Sequence, residues 1–241
     1  MRVRRWGAVL GAAASGLLLT SCQLPDFGVP RGATSQSKTT LHLWQGSVIA
    51  ALCVGAVVWG LIFYVIIRFR RRSDEVPSQK QYNIPVEVVY TTIPVVIVAV
   101  LFAFTVRAQD KIDRVSPNPA VSVTVTGYQW GWRFEYAGDG VTVATKDQQP
   151  PTLVLPAGQT VRIVLVSADV VHGFWVPDFL FKRDAIPGFT NRFDFNVQKA
   201  GTYGGRCTVF CGLRHDQMLF NVEAVTPAEF QQWVTSQRAA S

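Results

Sequence analysis

Twelve residues near the C-terminus, Cys207-Thr-Val-Phe-Cys211-Gly-Leu-Arg-His215-Asp-Gln-Met218, bring two thiols, an imidazole and a thioether together in the spacing C-x3-C-x3-H-x2-M. Soft sulfur ligands combined with imidazole are the donor set that copper prefers. Three simpler uses of these residues explain less. A disulfide between Cys207 and Cys211 suits a domain outside the cytoplasm but leaves His215 and Met218 without a purpose. Zinc prefers a closed tetrahedron of thiolates and imidazoles, and methionine is a poor ligand for it. A mononuclear blue-copper site needs two histidines, one cysteine and a weak axial methionine, so this loop has one cysteine too many. Two bridging thiolates, with a histidine and one weaker ligand on each side, would instead hold two copper ions.

That arrangement requires a second histidine from elsewhere. The chain has three. His42 stands at the edge of an apolar segment far along the chain. His172, within Ser167-Ala-Asp169-Val-Val-His172-Gly-Phe-Trp-Val-Pro177, directly follows a strand pattern and is the better partner. The remaining cysteines, Cys22 and Cys53, occur in separate contexts, and Cys53 reads as plain packing within an apolar run.

The elements that must position these ligands follow from charge and periodicity. Residues 1–107 carry 11 Lys and Arg against 4 Asp and Glu, whereas residues 108–241 carry 12 of each. The net charge of +7 therefore reports arginines flanking apolar segments, a membrane-topology signal, and not a nucleic-acid-binding surface. Arg2, Arg4 and Arg5 followed by an apolar run make residues 1–21 an export signal. Small residues ahead of Cys22 resemble a lipoprotein signal with an acylated cysteine; the alternative is an uncleaved signal anchor. Residues 22–40, rich in Gly, Pro, Ser and Thr, read as a disordered extracytoplasmic tether.

Residues 41–107 form a hairpin of two membrane spans, about 44–67 and 87–106. The uncharged run 41–67 exceeds the roughly 20 residues needed to cross a bilayer. The loop 68–82 holds five basic residues against two acidic ones, which places it in the cytoplasm. Residues 108–241 therefore lie outside, on the same side as Cys22. Glu87, at the inner edge of the second span, is either a helix cap or a proton-pathway residue. Pro94 should leave a carbonyl unpaired and kink that helix.

Beyond residue 119 the period changes. Val121, Val123 and Val125 alternate with Ser122, Thr124 and Thr126, the pattern of a half-buried strand. Further strands are expected at 130–136, 152–155, 160–167, 192–197 and 219–225, separated by turn signals. Many short strands with frequent turns indicate a Greek-key sandwich. Thr226-Pro-Ala-Glu229 then starts a short C-terminal helix.

The two-span hairpin, Gln129-Trp130-Gly-Trp132, Asp169-Val-Val-His172, Asp184-Ala-Ile-Pro-Gly188 and the cysteine loop occur in this order. Together they resemble subunit II of haem–copper cytochrome c oxidases over essentially all of residues 40–235. The resemblance implies a cupredoxin-like Greek-key sandwich, residues 108–241, carrying a dinuclear copper A centre. His172, Cys207, Cys211, His215 and Met218 match its side-chain ligands, and Val209 matches the residue that supplies a backbone carbonyl. The family usually has glutamate there, whose carboxylate also binds magnesium at the interface with subunit I. Valine keeps the carbonyl and loses the carboxylate, so a magnesium site would have to be built differently. Trp130 matches the aromatic residue through which electrons arrive, and Glu87 matches the mouth of a proton pathway. Asp178 and Asp184 lie where the family offers carboxylates for docking a basic cytochrome or near the subunit I interface; by themselves they read as solvated surface groups. Phe174, Trp175, Phe210 and Phe220 are expected to exclude water from the metal.

The implied function is that of a bacterial cell-membrane subunit through which electrons from cytochrome c reach haem in subunit I. There dioxygen is reduced to water and protons are pumped, with subunit III as a further partner. The neutral outer domain argues against strong electrostatic capture of a freely diffusing basic cytochrome and favours a tethered donor or a supercomplex. Two rivals remain at this stage. A quinol-oxidase-like subunit II would lack the copper ligands. A membrane-tethered copper carrier would have no need of Trp130 or Glu87.

Overall fold

A computed structural model of the chain describes residues 24–76 and 79–240. The expected leader, residues 1–21, and the expected lipidation site Cys22 lie outside the described residues.

Two long apolar helices come first, α1 (Ser35–Arg68) and α2 (Ile84–Ile112). At about 1.5 Å per residue both exceed the ~30 Å hydrocarbon core, and their surfaces are almost entirely exposed apolar side chains. Such faces are stable only in lipid or against another protein. Asn83 caps α2 by accepting the Val86 N–H, and α2 continues unbroken through Pro94. Glu87 Oε1 accepts the Asn83 N–H at 2.9 Å, so its carboxylate serves the helix start, where the dipole favours negative charge.

The outer end of α1 departs from the expected tether. Thr34 is fully buried and forms a reciprocal cap with Ser37: the Ser37 N–H donates to Thr34 Oγ1 at 3.0 Å, and the Thr34 N–H donates to Ser37 Oγ at 2.9 Å. The Ala33 N–H donates to the Asp178 carbonyl at 2.7 Å and the Gln198 N–H to the Ala33 carbonyl at 2.8 Å. Residues 33–40 are thus pinned to the globular domain. Composition alone suggested disorder, but a capping box and tertiary backbone bonds order the segment. Arg183 pairs with Asp113 at the end of α2, so both helices are fastened where they leave the membrane.

The C-terminal domain is a sandwich of ten strands: β1 (Val121–Tyr128), β2 (Gly131–Tyr136), β3 (Val141–Ala144), β4 (Thr152–Pro156), β5 (Thr160–Ser167), β6 (His172–Val176), β7 (Phe181–Ala185), β8 (Asn191–Asn196), β9 (Gly201–Arg206) and β10 (Leu219–Val225). One sheet has the order β3-β2-β1-β5-β8 and the other β4-β10-β9-β6-β7. The β1–β5 and β10–β4 pairs are parallel, and the other pairs are antiparallel. Helix α3 (Pro227–Ala240) closes one end through Phe230 and Val234.

Alternating residues of both sheets fill the space between them, as the strand period of two requires. Trp132, Phe174 and Phe220 form its centre, with ring centroids 5.8 Å (Trp132–Phe174), 5.3 Å (Trp132–Phe220) and 4.8 Å (Phe174–Phe220) apart. Asp194, almost wholly buried, is satisfied by Arg162 and by the Ser116 N–H at 2.6 Å. That bond ties the linker after α2 to β8.

The glycine-rich strand β9 owes its composition to this packing. A Cβ on Gly205 would lie 2.2 Å from the Phe220 ring, a contact no side chain can make. Gly205→Ala is expected to displace Phe220 and cost about 1–3 kcal/mol, read as a lowered unfolding temperature. An unchanged temperature would mean that the ring has room to move.

Candidate metal centre

Cys207 follows β9, and Met218 immediately precedes β10, so the loop between two neighbouring antiparallel strands carries four of the ligand candidates. The Cys207 N–H donates to the Met218 carbonyl at 3.0 Å, which closes the loop on itself, and a short 3-10 turn (His215–Gln217) aims His215 inward. His172 opens β6, the other neighbour of β9. The Thr208 N–H donates to the Gly173 carbonyl at 3.1 Å and holds the two segments together. A Cβ on Gly173 would come within 2.3 Å of Thr208 Oγ1; only glycine allows this approach.

The result is a compact set of donors. The ligand atoms of His172, Cys207 and Cys211 lie within 4.8 Å of one another. Cys211 Sγ is 3.8 Å from Cys207 Sγ, 3.6 Å from His215 Nδ1 and 3.9 Å from Met218 Sδ. The Val209 carbonyl oxygen is 3.3 Å from Cys207 Sγ. Both thiols are free: their separation is far beyond the ~2.05 Å of a disulfide. His172, Cys207, Cys211 and Met218 are buried, and His215 is half-buried.

His172 supplies the test of whether a metal fits. Its Nε2 lies 2.7 Å from Asp169 Oδ1, while its Nδ1 is buried without a hydrogen-bond partner. A buried polar atom left unpaired is costly. Here it belongs to an imidazole held by a carboxylate through the opposite nitrogen, the usual arrangement behind a metal ligand. With Asp169 accepting from Nε2–H, the Nδ1 lone pair is free to bind. Two sulfurs, two imidazole Nδ1 atoms, a thioether and a carbonyl, all soft or borderline except the last, suit copper.

The electrostatics of the metal-free site separate the two cysteines. Burial acts to raise the Cys207 thiol, but His172, the backbone of Gly173 and Val209, and His215 together outweigh it and hold the thiol at about 6. Cys211 is pushed up to about 12 by burial and by the Cys207 charge beside it. Burial lowers His172, yet Cys207 and Asp169 prevail and its imidazolium is favoured. Asp169 is held below the usual carboxylate range, because His172 and the N–H groups of Gln129 and Val170 exceed its burial penalty.

A sign follows for metal loading. Near pH 7 Cys207 is a thiolate already, Cys211 must give up its proton to bind, and His172 must be neutral. Loading should therefore release at least about one proton per chain, and apparent affinity should fall as pH drops, more steeply below about 6, where Cys207 is protonated. Chelator competition between pH 5 and 8 measures this; a flat profile would contradict it.

Other sequence candidates fall into place unequally. Trp132, within β2, is buried in the core, while Trp130, in the turn before that strand, is half-exposed. The Trp130 indole N–H donates to the Cys211 carbonyl at 3.1 Å, and the Gln129 side-chain N–H donates to the same oxygen at 2.7 Å. The Gln129 backbone N–H donates to Asp169 Oδ2 at 2.7 Å. Asp169 and Gln129 therefore link the Trp130 turn to both ligand segments, roles not singled out by sequence reasoning. The available signal was an acid three residues before His172. Phe174 and Phe220 back the site as expected. Phe210 is 81% exposed, yet its ring stands edge-on to that of His215 with centroids 5.9 Å apart, so it covers one side of that donor and leaves its own outer face open. Glu87 stands at the inner end of α2, the membrane's width away, and His42 lies at the outer end of α1, away from the donors.

Comparison with known proteins matches both parts of the chain. The profile of the "Cytochrome C oxidase subunit II, periplasmic domain" family covers residues 121–225, and that of its transmembrane domain covers residues 23–107. A probable cytochrome c oxidase subunit 2 of Streptomyces avermitilis is 42% identical, with 93% of this chain and 85% of that protein aligned. Cytochrome c oxidase subunit 2 of Mycobacterium tuberculosis is 32% identical, with 94% and 79% aligned. Among solved structures, the periplasmic domain of subunit II of cytochrome oxidase from Bradyrhizobium japonicum is 28% identical, with a TM-score of 0.48 over 52% of this chain and 99% of that one.

Proposed function

The chain belongs to the cytochrome c oxidase subunit II family, and on that premise we propose that its sandwich holds two copper ions between Cys207 and Cys211. The chain is the part of a haem–copper oxidase through which electrons enter. It takes them from a c-type cytochrome outside and passes them to haem in the partner subunit I, where dioxygen becomes water.

The observation that carries the reading is the convergence of five side chains from two loops. Cys207, Cys211, His172, His215, Met218 and the Val209 carbonyl would hold the metal, the imidazoles through Nδ1. Copper bound there would supply a one-electron carrier. The protein's part is to keep the ligands still. Asp169 fixes the His172 ring, the Cys207 N–H and the Met218 carbonyl lock the loop, and the packed rings of Trp132, Phe174 and Phe220 resist any shift. Preformed donors need little rearrangement between oxidation states, which keeps electron transfer fast.

Trp130 is the point of electron arrival in this reading. Its half-exposed ring offers a donor protein an aromatic contact, and one hydrogen bond connects its indole to the main chain of Cys211. At residue 209 the loop offers magnesium a carbonyl and no carboxylate, so magnesium is not assigned to it. Glu87 stands at the cytoplasmic mouth of α2, where proton uptake for the pump would begin. The bacterial cell membrane, subunit III and a tethered cytochrome complete the proposed setting.

Affinity purification of the full chain from its own membranes tests the assignment. The chain should come out with a haem-bearing subunit, and the preparation should consume dioxygen when given reduced c-type cytochrome. Recovery of a copper-loaded chain without haem would favour a copper carrier instead.

A further inference from the structure

The outer ends of α1 and α2 do not close on each other. Between them lies a cleft of about 590 Å3. Its floor is apolar, formed by Leu43 and Ala50 from α1 and Leu101 and Phe104 from α2. Its rim is cationic: Arg107 and Lys111 stand one turn apart on α2, facing His42 across the opening, and no acidic residue lines it. Both Arg107 and Lys111 are exposed, and neither is ion-paired among the described residues.

Depth decides what such a cleft suits. The uncharged stretch of α2 from 88 to 106 measures about 28 Å at ~1.5 Å per residue, close to the ~30 Å of a hydrocarbon core. Arg107 and Lys111 therefore sit where lipid phosphates lie, and the floor beneath them lies among acyl chains. A neutral helix from a partner subunit could fill the floor but would leave two cations unanswered. An anionic headgroup answers both.

We propose that this cleft is a binding site for an anionic phospholipid of the outer leaflet, its phosphate against Arg107 and Lys111 and one acyl chain along Leu101 and Phe104. The proposal rests on the membrane-spanning placement of the hairpin and is independent of the copper assignment.

The test uses the complete complex in nanodiscs of equal parts phosphatidylglycerol and phosphatidylcholine. After extraction, mass spectrometry reads the lipid retained by the protein. Phosphatidylglycerol should be enriched about tenfold over phosphatidylcholine, and the double variant Arg107→Gln/Lys111→Gln should lose that preference while keeping its copper spectrum. A benzophenone side chain in place of Phe104 should, on illumination, form an adduct with phospholipid. Equal retention of the two lipids, an unchanged preference in the double variant, or an adduct with a polypeptide would each overturn the proposal, the last by assigning the cleft to a partner subunit. Failure here would leave the copper spectrum, and hence the proposed function, untouched.

Discussion

Cys211→Ser is expected to abolish oxidation of reduced cytochrome c, with turnover falling by more than about 100-fold. Changing an outer partner of a metal ligand already costs about 10–100-fold in affinity or activity, and Cys211 is proposed as a ligand itself. Its sulfur lies closest to the whole donor set, within 3.9 Å of Cys207, His215 and Met218. Serine would place a hard, protonated oxygen where the proposed copper site needs a soft thiolate. Its similar size makes a folding defect a poor explanation for the loss, and circular dichroism of the variant checks this. Wild-type turnover in a Cys211→Ser complex would remove that residue from the site.

The second large effect concerns the wall behind the donors. Trp132→Ala should destabilise the sandwich by about 3–5 kcal/mol, the usual cost of emptying a large buried aromatic site. Trp132 is fully buried, packs edge-on against Phe174, Phe220 and the His172 ring, and donates its indole N–H to the Met218 carbonyl at 3.4 Å. The cavity therefore opens directly beneath two ligand segments. Chemical denaturation of the copper-free protein reads the stability loss, and Trp132→Phe should recover most of it while still lacking the bond to Met218. A Trp132→Ala protein as stable as the wild type would mean that the core can collapse around the gap.

The sequence made the chemistry visible before the architecture. Four donors in one loop are legible as residue types at short spacing, and His172 was recoverable because the chain has so few histidines. Strands β5 and β10 were legible too, since each alternates cleanly between more and less buried positions, and β1 was legible from its Val/Thr alternation although Thr126 and Gly127 are also buried. Strands β3, β6, β7 and β9 were not. Gly173 in β6 and Gly204 and Gly205 in β9 weaken strand propensity, and two of these glycines are there because Thr208 and Phe220 leave no room for a Cβ. The parallel pairings were equally hidden, because alternation marks a strand but not its partner. The bonds from Gln129 to Asp169 and Cys211 join positions 40 and 82 residues apart, beyond the reach of any local pattern. Composition misjudged residues 33–40, where order comes from a helix cap and from backbone bonds to the sandwich.

Electron paramagnetic resonance of the oxidised, copper-loaded full chain in detergent tests most directly whether two coppers share one site. Two coppers per chain are expected, with one unpaired electron whose hyperfine splitting is shared equally by both nuclei. A signal from a single copper nucleus, with one copper per chain, would contradict that expectation.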